Sequence, residues 1–123
     1  MYNAKCMKKQ FDRQEAKKFL LAREEKEKQQ QEDSRQRILQ HAISVLQKKF
    51  IESEVQVYLV GSVLRAYDFN TTSDIDIVIR NFKGDRFQLW SELENLLERS
   101  VEIIQFETCH FKEFVEKEGL KVV

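Results

Sequence analysis

Apolar positions change their spacing near residue 53, and the chain divides there into a helical part and a mixed part. Ile38, Leu39, Ala42, Val45, Leu46 and Phe50 recur at helical intervals, which predicts an amphipathic helix over about 35–50 that packs on a following sheet. Asp33-Ser34 stands in front of it as a candidate N-cap. Residues 5–33 are mostly Lys, Glu, Gln and Arg, and no Gly or Pro occurs before Gly61, so this stretch is predicted helical as well. Glu24 and Lys28 are spaced to pair along it, a contribution of only ~0.3 kcal/mol. Its apolar residues are sparse, Phe11, Phe19, Leu20, Leu21 and Ala22 among them. Such a narrow stripe either needs a partner or leaves the helix solvated and partly disordered.

Past residue 53 the period shortens. Val55 to Val60 reads as a strand ending at Gly61, and Ile75 to Ile79, β-branched at every position but Asp76, reads as a buried strand. Between them Ser62 to Tyr67 is expected to form a short helix and Asp68 to Ser73 a loop. Phe87, Trp90, Leu93, Leu96 and Leu97 mark a helix over about 85–99, with Trp90 placed in the core against the sheet. Val101 to Phe106 is a third strand, and a last helix over about 110–118 ends at Gly119 as its C-cap. The expected fold is a small α/β (α+β) domain: a mixed sheet of three or more strands with flanking helices and a long N-terminal helix. The expected division is an N-terminal helical extension, 1–33, and a domain over 34–123.

Composition narrows the function classes. Lys+Arg and Asp+Glu are both 21 in 123 residues, so the net charge is zero and no overall basic footprint for nucleic acid exists. Apolar runs fall far short of the ~18 residues of a membrane span, and the N-terminus lacks the apolar core of a secretory signal. Cys6 and Cys109 match no zinc spacing, and a reduced, cytoplasmic protein is expected. Cys109-His110 has no second ligand pair, so a structural role is expected for it. His41 is expected at the surface, and Tyr67 and Phe69 are expected to pack the loop in preference to lining a base pocket.

The candidate chemistry lies in residues 60–76. Gly61-Ser62 after a strand permits a tight turn and close backbone approach. A helix following it would offer free N–H groups to a phosphate, and the Ser62 hydroxyl one more donor. The same pair also suits an ordinary turn. Asp74 and Asp76 are two apart on a strand, so both carboxylates point to one face. Two adjacent acids repel unless a cation neutralises them, and Mg²⁺ takes oxygen ligands while keeping positions open for phosphate. Exposed acids on a solvent face are the alternative. Arg65 is placed either to contact phosphate or to pair with Asp68 or Asp76.

Val60-Gly61-Ser62 followed by Asp74-Ile75-Asp76 resembles the nucleotidyltransferase superfamily related to DNA polymerase beta, over about residues 38–118. Ser73 before the first Asp and Arg65 after the turn fit that pattern, whereas Ala66 replaces a frequent Gly. Size and the lack of a substrate domain are similar to the minimal, MNT-type, group. The resemblance implies two Mg²⁺ ions at the carboxylates, ATP as substrate with its triphosphate at Gly61, Ser62, Arg65 and Ser73, and a third carboxylate on the next strand. Glu102 is the candidate for that carboxylate, with Glu107 as fallback. It further implies a HEPN-type partner toxin, neutralised by transfer of AMP from ATP to a Tyr, and self-association through the N-terminal helix is a further expectation. Transfer to a small aminoglycoside-type acceptor is an alternative that the balanced charge does not support. A non-catalytic partner-binding subunit of the same fold is another, motivated by Glu in place of the usual Asp and by the long helix.

Overall fold

A computed structural model describes the backbone of residues 2–123 and the side chains of residues 13–123. Phe11 and Cys6 therefore lie outside the described side chains. Helix α1 runs unbroken from Tyr2 to Lys49, about 72 Å at the usual helical rise. The expected N-cap at Asp33-Ser34 does not form. With no Gly or Pro on either side, nothing forces a break, and the Asp33 carboxylate accepts a bond from Gln29 Nε2, one turn back, at 3.1 Å. Residues 13–31 are exposed throughout, Phe19, Leu20 and Leu21 included, whereas from Glu32 onward α1 buries one face.

The rest is a four-stranded mixed sheet with two further helices, an α+β domain. Strands β1 (Gln56–Val60), β2 (Ile75–Arg80), β3 (Val101–Gln105) and β4 (Leu120–Lys121) lie in the order β3-β2-β1-β4. β2 runs antiparallel to β1 and parallel to β3, and β4 is antiparallel to β1. Alternation along the strands separates two faces. Val57, Leu59, Ile75, Ile77 and Ile79 pack under Ala42, Leu46 and Phe50 of α1 and under Leu89, Leu93 and Leu97 of helix α2 (Arg86–Leu97). Tyr58, Val60 and Val78 face the other way, onto Phe106 and onto Val115 of helix α3 (Lys112–Glu118). Each fully buried Leu or Ile contributes about 1.5–3 kcal/mol, and this double-sided burial holds the register of β2.

Two local expectations are corrected. The buried stripe of α2 is Leu89, Leu93 and Leu97, so Trp90 is 44% and Phe87 81% exposed, and Leu96 also faces solvent. Trp90 lies at the rim, where its indole N–H donates to the Val101 carbonyl at 2.7 Å. Gly119 is the C-cap of α3, as expected, in an extended conformation with a φ of −72°. Its lack of a side chain lets its N–H approach the Val115 carbonyl, at 2.9 Å. Finally, the helix expected over 62–67 is one 3-10 turn, Gly61–Leu64. So short a segment carries little macrodipole, and what it can offer an anion is individual N–H groups.

Candidate active site

Gly61 ends β1 at the same edge of the sheet where β2 and β3 begin, so the turn and the acids meet there. Register places Val60 opposite Asp76 on one side and Glu102 opposite Asp76 on the other. Asp74, just before β2, is near enough for its charge to act on Asp76. The candidate third acid is thus the direct lateral neighbour of the central one. Glu107 is not part of this group. Its carboxylate accepts the Asn81 N–H at 2.7 Å at the far end of β2, and that bond holds it below the usual carboxylate range.

Gly61 suits this position on two counts. Its φ is +83°, a region in which a side chain is strained, and a Cβ on it would land on Asp76 Oδ2. The turn therefore backs directly onto the carboxylate. Asp76 is half-buried, and its pKa is pushed up to about 6. Burial is the largest cause; the charge of Glu102, a side-chain hydrogen bond with it, and the charge of Asp74 follow. Arg65 opposes the shift only weakly, because its guanidinium pairs with Asp68 at 2.6 Å on the exposed side of the turn.

The loop that leads into Asp74 is built from its own polar groups. Ser73 Oγ accepts the Asn70 N–H at 3.1 Å, and the Ser73 N–H returns to the Asn70 carbonyl at 3.1 Å. Arg99, which carried no signal in the sequence, ties the loop down. It donates to the Ser73 carbonyl at 2.9 Å and to that of Asn70, and stacks on buried Phe69 at 4.3 Å. Ser73 is thus a loop-shaping residue in this structure, and Arg65 takes the Asp68 pairing of the alternatives open to it. Tyr67 is exposed, Phe69 packs the loop, and His41 is a surface residue whose ring meets the Leu96 carbonyl at 3.2 Å.

Two hollows flank this region. A groove of about 410 Å³ lies between Glu102 and Ile103 of β3 and Arg86, Phe87 and Trp90 of α2, and it is mostly apolar. Another, of about 320 Å³, separates α1 from Phe69–Thr71 and contains none of the three carboxylates. The first touches Glu102, alone of the three carboxylates.

Asp74, Asp76 and Glu102 supply only oxygen donors, which suits a hard divalent cation such as Mg²⁺. The mutual repulsion that lifts Asp76 is what a bound cation would relieve. Among the described residues, no group of three or more His, Cys, Asp or Glu side chains is already closed around one point. No helix of the described residues is long and apolar enough to cross a membrane. A scan against protein-family models finds no match, and no curated protein matches the chain.

Proposed function

We propose that this protein is a Mg²⁺-dependent nucleotidyltransferase of the minimal type, which transfers AMP from ATP to an acceptor hydroxyl. The observation that carries the reading is the in-register pair Asp76 and Glu102 with Gly61 packed against Asp76. Phosphate-binding turn and acids then share one edge of the sheet. Asp74, Asp76 and Glu102 would hold the metal ions, which supply charge neutralisation to the reacting phosphate and its leaving group.

The chain's own groups account for the rest. The Gly61-Ser62 backbone and the Ser62 hydroxyl hold the triphosphate by hydrogen bonds. Glu102, exposed and beside the groove, accepts the proton of the acceptor hydroxyl. The acceptor oxygen forms a bond to the α-phosphorus, the bond to the β-phosphate oxygen breaks, and pyrophosphate leaves. The groove at Phe87 and Trp90 gives an acceptor side chain an apolar seat next to Glu102. A Tyr on a HEPN-type partner fits that seat, and the exposed stretch around Phe19–Leu21 offers such a partner a second surface.

The test uses ATP labelled at the α-phosphate, Mg²⁺, the full-length protein and the product of the neighbouring gene. Wild type should label a Tyr of that partner, and Asp76→Asn should label nothing. A wild-type protein that neither transfers label nor binds Mg·ATP overturns the reading. Unlabelled partner that is nonetheless masked equally by wild type and Asp76→Asn favours the non-catalytic alternative.

A further inference from the structure

Helix α1 touches the turn through two charged residues that are almost fully withdrawn from solvent. Glu32 and Arg35, three apart on the helix, are 5% and 8% exposed. Arg35 Nε meets Glu32 Oε2 at 2.9 Å and Oε1 at 3.1 Å, and Nη2 also bonds Oε1. That is a forked guanidinium–carboxylate pair. Each partner has a further bond outside the helix. Arg35 Nη1 donates to the Val63 carbonyl at 2.8 Å, and Glu32 Oε2 accepts the Tyr67 N–H at 2.8 Å.

The two backbone groups bracket the stretch just after Ser62. Val63 lies inside the 3-10 turn, and Tyr67 has a φ of +64°, where the chain reverses without a glycine. A turn this irregular leaves backbone groups without regular partners, and such groups must be satisfied when withdrawn from water. An apolar pair of similar volume would fill the same space without the desolvation cost of two charges. It would not hold an acceptor and a donor four residues apart.

We infer that Glu32 and Arg35 are positioning residues that hold the backbone of Val63–Tyr67 so that Gly61 and Ser62 are presented to a triphosphate beside Asp76. The inference rests on the nucleotidyltransferase reading. It makes α1 a support of the turn: the residues that shape it come from the helix as well as from the sheet. Neither residue touches the nucleotide, so the effect passes entirely through the turn.

The experiment uses full-length wild type, Arg35→Lys, and the double variant Glu32→Leu with Arg35→Met. Arg35→Lys keeps the charge and loses the fork. The double variant replaces the pair by apolar residues, which buried ion pairs generally tolerate. Mg·ATP binding is read by titration calorimetry, Mn²⁺ binding without nucleotide by electron paramagnetic resonance, and backbone protection by hydrogen exchange. Both variants should lose Mg·ATP affinity by about tenfold or more, the scale of outer-sphere partners in metal sites. Mn²⁺ affinity should stay at the wild-type value because the carboxylates are untouched. Faster exchange should be confined to residues 61–67.

Folded variants that bind Mg·ATP as wild type does, with unchanged exchange at 61–67, overturn the inference. Protection and Mn²⁺ affinity lost together across the chain would show a purely structural pair, and also overturn it. Should the double variant fail to fold, Arg35→Lys decides by the same readouts. A wild type that binds Mn²⁺ but not Mg·ATP removes the functional reading itself, and the positioning role falls with it.

Discussion

Glu32 and Asp76 lie on either side of the same turn, and their surroundings push them in opposite directions. Glu32 has an arginine fork and a backbone N–H for partners, and the Arg35 bonds, with the Tyr67 N–H next, pull its pKa down to about 2. Asp76 has two carboxylates for neighbours, and burial with the charge of Glu102 lifts it to about 6. Ion pairing completes the first inside the chain. The second has only the weak opposing charge of Arg65, and a proton or a cation would relieve the repulsion. What separates the two is the partner each has: a guanidinium fork for Glu32, other carboxylates for Asp76.

Neutralising each acid in turn should break this symmetry, with the largest effect on binding. Asp76→Asn should lower Mg·ATP affinity by at least about 100-fold, the upper end for even the outer partners of a metal site. It should leave the thermal midpoint at neutral pH equal to wild type or higher, because a repulsive charge is gone. Glu32→Gln should do the reverse to stability, lowering the midpoint. Calorimetric titration and thermal unfolding of the same two proteins check both halves. A midpoint that falls for Asp76→Asn as much as for Glu32→Gln would erase the distinction.

The next effect is at the glycine between the two regions. Gly61→Ala combines a left-handed backbone, costing about 1–2 kcal/mol for a side-chain-bearing residue, with a Cβ directed at Asp76 Oδ2. A midpoint lower by ~5 °C or more is expected, together with loss of Mg·ATP binding. Retained binding with full stability would mean that the turn does not press on the acid.

How much of this was legible in the sequence follows the same division. Ile75, Ile77 and Ile79 alternate with Asp76, and Gly61 follows a strand pattern, so the acid strand and the turn could be read from period and residue type. Glu102 was legible as an acid flanked by apolar residues; that it lies in register with Asp76 depends on the parallel pairing of β2 and β3, which local pattern does not contain. Glu32 and Arg35 gave no signal. Along the sequence they are one more i, i+3 pair in a charged helix, of the same kind as the exposed Arg23–Glu27 pair at i, i+4. Asp33-Ser34 misled for a related reason: its capping preference is local, and continuous helix formers on both sides outweighed it. Trp90 misled because a large aromatic reads as core, while its N–H drew it to the open edge of β3. The two-residue β4 is too short for any period to show.

The smallest expected effect, and the one that tests the comparison most directly, is the sign of the pH dependence. A carboxylate lowered in the fold contributes stability that is present above its ordinary pKa and lost as pH falls toward the folded value. For Glu32 that window runs from 4.5 down to about 2. A carboxylate raised in the fold does the opposite: its contribution is present below the ordinary 3.8 and lost as pH rises through about 6. In the metal-free protein, acidification from pH 7 to pH 5 should therefore draw a small gain in stability from Asp76, before Glu32 draws a loss below pH 4.5. Urea unfolding at half-unit steps of pH resolves the two. Asp76→Asn should remove the gain and leave the loss, and Glu32→Gln should weaken the loss and leave the gain. The variants cross over only if the two acids titrate independently on opposite sides of the turn. A single monotonic profile shared by both would mean that the repulsion at Asp76 is already relieved by a partner within the chain, which would remove the physical reason for a cation there.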